Sequence, residues 1–369
     1  MTVIDTLKKI LAMKQPLPFV EFMQHALYSP YGGYYTGDLP KIGKHGDFVT
    51  APELTPLFGQ ALASECKAVL SALPLGEILE FGAGTGRLCI DILQALEKMD
   101  ALPVHYKILE ISPSLKQHQK QAVLEALPHL YSRVIWLDTL PENFSGVVLA
   151  NEILDAMPVR RFLKTEQSLL ESYVSLDEQG EWIESYQVPF DGELAEALSP
   201  VYDELPTPYQ SEVNGLAKPW LKALYESMDK GVVLLIDYGF PRHEYFHPDR
   251  HMGTLMCHKN QMSQPNPLID IGLQDITAHV DFTYVAESAH ALGFHVAGFV
   301  NQASYLLSLE ILSLLENIKD EKTYAAAAQA LKILLNPNEM GELFKVLALT
   351  KNWDEPLLGF RLMDSRGRL

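Results

Sequence analysis

The sequence predicts an α/β fold. Its core is a Rossmann-like, mostly parallel sheet, with helical additions at both ends and an inserted β-rich lobe. Three observations carry this. The run Glu77 to Phe81 reads as a short buried strand, Gly82, Gly84 and Gly86 follow at every second position, and Arg87 to Leu93 then has helical spacing of apolar residues. Short apolar runs recur downstream, at 105–112, 133–138, 146–150 and 231–239. The last of these holds Val232 to Ile236 without a polar break, the pattern of a parallel strand covered on both faces.

The glycine turn sets the chemistry. Glycine is required where a backbone bends tightly and lies close to a ligand. A phosphate-binding turn would follow Gly-x-Gly-x-x-Gly, but Arg87 stands at the last position and the third glycine comes one residue early.

Composition bounds the rest. The chain has 369 residues, 47% of them hydrophobic and 21% charged, enough to bury a large core. A net charge of −18 disfavours broad nucleic-acid binding and suits a cationic substrate. Cys66, Cys89 and Cys257 are odd in number and far apart, which points to a reducing compartment. No apolar run reaches membrane-spanning length, and the N-terminus lacks a signal-peptide core and any arginine before Arg87. These features lead to the expectation of a cytosolic protein.

In chain order, residues 1–72 form N-terminal helices and a loop flanking the site. Pro16 and Pro18 separate two helices, and Tyr28 to Tyr35 is a loop of turn formers and aromatics. Gly46 to Glu53 joins glycine, Asp47, Thr50 and Pro52 in eight residues, and either Thr50 or Thr55 caps the helix through Phe58, Leu62 and Val69. Residues 73–159 make the cofactor-binding half of the core. Ser112 and Pro113 open the helix after the second strand. Residues 160–215 hold short strands and the turn Asp177 to Gly180, the inserted lobe; an exposed apolar face there would favour a homodimer. Residues 216–310 complete the core and carry an irregular loop at 240–281, and 311–369 are read as helices, the last over Asn338 to Leu347.

Ligands of open parallel sheets lie outside the carboxyl ends of the strands. Glu110, at the end of the second strand, is placed for two ribose hydroxyls, and Asp138 ends the third near an adenine. Asn151, Glu152 and Asp155 follow the fourth. A helical turn over 152–155 would put both carboxylates on one side, able to grip a guanidinium bidentately, while Asn151 either caps the turn or bonds the cofactor's amino-acid end. Asp237 ends the fifth strand at the same edge. His279, between Asp275 and Asp281, is either an oriented base or a packing residue. His243, His247, His251 and His258 lack ligand spacing, so no metal site is expected.

The pattern Glu80-x-Gly82-x-Gly84-x-Gly86 resembles motif I of class I S-adenosylmethionine methyltransferases. Gly46 to Glu53, Asn151 to Pro158, Asp237-Tyr238-Gly239, Gly253 to Cys257 and Asp275 to Phe282 together resemble the MidA family of such enzymes. The resemblance implies a seven-stranded class I fold with strand order 3-2-1-4-5-7-6 and S-adenosylmethionine as cofactor. It also implies methylation of a protein arginine, since the family's mitochondrial members modify a core subunit of respiratory complex I. On that footing Glu80, Gly82, Gly84, Gly86, Glu110, Asp138 and Asn151 are candidate cofactor residues. Glu152, Asp155, Asp47 and His279 are candidate catalytic ones. Two rivals stand beside it: a methyltransferase for a small-molecule or nucleic-acid amine, and a non-catalytic cofactor-binding assembly factor.

Overall fold

The computed structural model describes residues 2–14, 16–37 and 50–369. The chain divides into two compact units. One is drawn from Met1–Phe48, Leu154–Pro219 and Phe240–Asp281, the other from Val49–Ile153, Trp220–Gly239 and Phe282–Leu369.

The second unit contains the glycine turn. Its strands are β1 (Glu77–Phe81), β2 (Tyr106–Leu109), β3 (Val134–Leu137), β4 (Phe144–Asn151), β5 (Met228–Phe240), β6 (His295–Asn301) and β7 (Phe344–Lys351). They follow one path, β3-β2-β1-β4-β5-β7-β6. The first five in that path pair in parallel. β7 runs antiparallel to both β5 and β6. Val232 to Ile236 of β5 are buried, because β4 and β7 flank the strand and helices cover the sheet.

Helix starts in this unit follow local chemistry. The Thr55 hydroxyl accepts from the Leu57 N–H at 3.3 Å and so caps α1 (Pro56–Ser71), leaving Thr50 without a side-chain cap bond. α2 (Arg87–Lys98) starts directly from the glycine turn. α3 (Pro113–Ala126) is capped by Ser112, which accepts from the Leu115 N–H at 3.4 Å, and Pro113 fills the first turn, where no amide hydrogen is needed.

One expected element changes type. The helix read over Asn338 to Leu347 is a four-residue helical turn, Met340–Leu343, followed by β7. Lys, Leu and Ala in this stretch favour a helix in isolation. Burial overrides that preference: Val346, Leu347, Ala348 and Leu349 are all fully buried in a strand with a partner on each edge.

The other unit is built on antiparallel pairing. Leu17–Pro18, Leu169–Leu176, Arg160–Lys164 and Tyr209–Val213 lie side by side in that order, and Trp182–Gln187 also pairs with Leu169–Leu176. The stretch 240–281, expected to be irregular, contributes a three-stranded sheet of Met262–Gln264, Met256–Lys259 and Asp275–Thr277. One buried charge here is Arg160. Arg160 grips Glu171 with two bonds of 2.8 and 2.7 Å and meets Asp191 at 2.8 Å, the fork geometry that compensates desolvation of a guanidinium.

The placement of β7 has a measurable consequence. Leu347→Ala is expected to lower unfolding stability by about 2–5 kcal/mol, the cost of an uncollapsed core cavity. Urea denaturation reads it, and a loss below about 0.5 kcal/mol, as at a surface helix position, contradicts the strand.

Candidate active site

The site is built at the carboxyl ends of the parallel strands in the second unit. β1 ends at Phe81 and the chain turns through Gly82, Gly84 and Gly86 with φ of +56°, +54° and +85°, a region that L side chains rarely adopt. Space is also short: a Cβ on Gly82 would lie 2.7 Å from Cδ1 of Ile153. The Thr85 hydroxyl, between two of the glycines, donates to the carboxylate of Glu53.

Glu110 follows β2 and is buried. Its carboxylate accepts the Ser112 N–H at 2.9 Å and the Gln119 side-chain amide at 2.8 Å. Burial raises its pKa above the usual carboxylate range, opposed by those hydrogen bonds. Gln119 also donates to the Gly84 carbonyl at 2.9 Å and accepts from Trp136 Nε1 at 3.1 Å. One fully buried side chain thus joins the glycine turn to the ends of β2 and β3. Sequence reasoning missed Gln119. Its only signal is position: it shares the buried face of α3 with Val123, four residues on.

The other expected acids of this half lie differently. Glu80 is buried in the core and accepts from the Tyr106 hydroxyl at 2.7 Å. Burial lifts its carboxyl to about 8, against the lowering effect of that hydrogen bond. Asp138 is exposed and pairs with Lys116 at 2.6 Å, which lowers its pKa.

At the end of β4, Asn151 donates through Nδ2 to Glu152 at 3.2 Å. Its buried Oδ1 has no hydrogen-bond partner among the described residues. Glu152 is left-handed, with φ of +54°, and its N–H donates to the Ile236 carbonyl at 2.8 Å. The Ile153 N–H donates to the buried carboxylate of Asp237 at 3.1 Å, and the other oxygen of Asp237 accepts the Tyr238 N–H at 2.9 Å. The end of β5 therefore fixes the turn after β4. This corrects one expectation: residues 152–155 do not form a helical turn, because bonds to Ile236 and Asp237 hold the chain in a conformation that no α-helix contains. Glu152 and Asp155 are not neighbours on a helix face.

Asp155 and His279 belong to the first unit. Asp155 is buried, and its carbonyl accepts the Ala278 N–H at 3.0 Å. The next carbonyl, of Ala156, accepts from the Tyr28 hydroxyl at 2.8 Å. Tyr28 stacks on Tyr35 at 5.4 Å, and Tyr35 donates to Asp275 at 2.9 Å. The His279 N–H donates to Thr254 at 3.0 Å, and its ring packs 5.4 Å from that of Phe240. Asp281 pairs with Arg242 at 3.4 Å. Asp47 lies outside the described residues. Among the described residues no cluster of three His, Cys, Asp or Glu could hold a metal ion, and no helix is long and apolar enough to cross a membrane.

A buried acceptor at Asn151, a glycine turn that admits close approach, and a carboxylate beyond β2 fit an adenosyl amino acid, the cofactor of class I methyltransferases. The comparisons agree. Residues 58–300 match the model of a family of S-adenosyl-L-methionine-dependent methyltransferases, and the chain belongs to that family. Its cofactor is accordingly S-adenosylmethionine. A crystal structure from Burkholderia thailandensis, bound to S-adenosyl-homocysteine, matches with a TM-score of 0.95 and 37% identity, covering 100% of this chain and 96% of that one. The mitochondrial protein arginine methyltransferase NDUFAF7 homolog of Drosophila melanogaster is 29% identical over 90% of this chain and 81% of its own. NDUFAF7 of Danio rerio is 26% identical over 90% and 83%. Both names include the word mitochondrial, and this overturns the expectation of a cytosolic protein.

Two outcomes follow from these contacts. The folded state takes up a proton on Glu80 as pH falls through about 8, whereas the unfolded chain does so only near 4.5, so this group makes stability decline as pH rises between those values. Glu80→Gln should flatten that segment of the stability curve, measured by urea unfolding at several pH values; an unchanged slope contradicts the assignment. Gln119→Leu should weaken S-adenosyl-homocysteine binding by about tenfold or more, since it strips partners from a buried carboxylate. Calorimetric titration reads it, and unaltered affinity excludes Gln119 from the site's support.

Proposed function

We propose that this protein transfers a methyl group from S-adenosylmethionine to an arginine side chain of another protein. The observation that carries the reading is that relatives matched along 90% of this chain are named protein arginine methyltransferases. The acidic character of the strand ends supports it, because a guanidinium is permanently charged, a poor nucleophile and best oriented by carboxylates.

Bound S-adenosylmethionine supplies an electrophilic methyl group on a sulfonium centre. The chain's own residues handle the acceptor. Glu152 is the carboxylate we assign to the guanidinium: it orients the attacking nitrogen and takes the proton that nitrogen loses as the N–CH3 bond forms and the S–CH3 bond breaks. Positioning alone supplies about 7–11 kcal/mol in favourable cases, so no strong base is needed. Gly82, Gly84 and Gly86 cradle the methionine end, Glu110 takes the ribose hydroxyls and Asn151 accepts from the amino-acid end. Asp155, Asp47 and His279 are further candidates, each to be tested by single substitution. The first targets to assay are a complex I-related subunit and its bacterial counterparts.

The test is co-expression of the chain, or its Glu152→Gln variant, with a tagged target, followed by mass spectrometry for methylarginine. Chain-dependent methylarginine that falls about a hundredfold or more in Glu152→Gln, with S-adenosyl-homocysteine affinity kept, is expected. Methylation confined to another amine, or full activity in the variant, overturns the assignment.

A further inference from the structure

We propose that Glu53 binds the α-ammonium group at the methionine end of S-adenosylmethionine. This deepens the assignment of the glycine turn to that end of the cofactor and rests on it.

Glu53 sits on a firm backbone. Its N–H closes the one-turn helix Ala51–Leu54 on the Thr50 carbonyl at 3.0 Å. Ala51 and Pro52 before it are buried, and α1 begins directly behind it at Pro56. The Thr85 hydroxyl then points the carboxylate at the glycine turn, using one of its oxygens. The second oxygen has no hydrogen-bond partner among the described residues, and the residue is half-buried. A carboxylate held this way has an acceptor position left for a ligand.

The surrounding charge favours a cation. Arg87, the basic residue that follows the last glycine, is committed to Asp91 at 2.8 Å. Asp91 is itself buried, and its Oδ1 has no hydrogen-bond partner among the described residues. Burial raises the Asp91 pKa, and the Glu53 charge adds to that against Arg87. The charges of Glu53 and Asp91 thus act on one another, and the guanidinium of Arg87 is paired to Asp91. The cofactor's methionine end carries an ammonium with three donors, which suits an acceptor carboxylate at this point. Glu53 also gives a role to the last residue of the Gly46 to Glu53 stretch.

Calorimetry with two ligands tests this on the full chain. S-adenosyl-homocysteine carries the amino-acid group; 5′-methylthioadenosine keeps the adenosine and lacks it. Glu53→Gln should weaken S-adenosyl-homocysteine binding by about tenfold to a hundredfold and leave methylthioadenosine within about twofold. Thr85→Val, which frees the carboxylate to swing, should give a smaller loss with the same ligand selectivity. It serves as the second readout should Glu53→Gln melt early by circular dichroism. Equal weakening of both ligands means that Glu53 only supports the turn, and no weakening of either removes it from the site; both overturn the proposal. Failure of the unaltered chain to bind S-adenosyl-homocysteine overturns the cofactor assignment itself.

Discussion

The Gln119 amide donates to the Gly84 carbonyl and to Glu110 and accepts from Trp136, so one buried side chain positions both the bend after β1 and the acid after β2. A buried carboxylate is costly unless hydrogen-bonded. Glu110 meets that condition through Gln119 and the Ser112 N–H, which also fix its orientation. Asp237 does the corresponding job at the end of β5, holding Ile153 and thereby the turn that carries Glu152. In both cases a buried carboxylate at a strand end is satisfied by backbone or side-chain donors. The hydrogen bonds that satisfy these buried groups also set the geometry of the strand ends.

Position along a strand separates two acids that look alike in sequence. Glu80 and Glu110 both sit near strand ends and both are raised by burial. Glu80 lies within β1 and bonds a core tyrosine, whereas Glu110 lies just beyond β2, with backbone at the sheet edge as a partner. The acid before the glycines is therefore bonded within the core, and the one thirty residues later is bonded just beyond a strand end.

What was legible follows from local physics. The passage from β1 through the glycines into α2 could be read because those backbone angles favour glycine. Ser112 and Pro113 announced α3 through capping chemistry, and the unbroken run in β5 announced a covered strand. The failures all depend on distant partners. β7 reads as helix until β5 and β6 are placed on its edges. The turn at 152–155 reads as helical until Ile236 and Asp237 are known to hold it. Gln119 carries no local signal because its three partners come from elsewhere in the chain.

The insertion of β7 between β5 and β6 also governs how the chain is made. β5 is finished at Phe240, yet the strand that seals its free edge begins only at Phe344. Until then the stretch Gly231 to Tyr238 of the nascent chain lacks its β7 partner, and an unpaired edge of this kind is a template for pairing with other chains. Premature termination before Phe344 would leave that edge open for good. The segment that forms β7 is therefore what separates a sealed β5 edge from an aggregation-prone one.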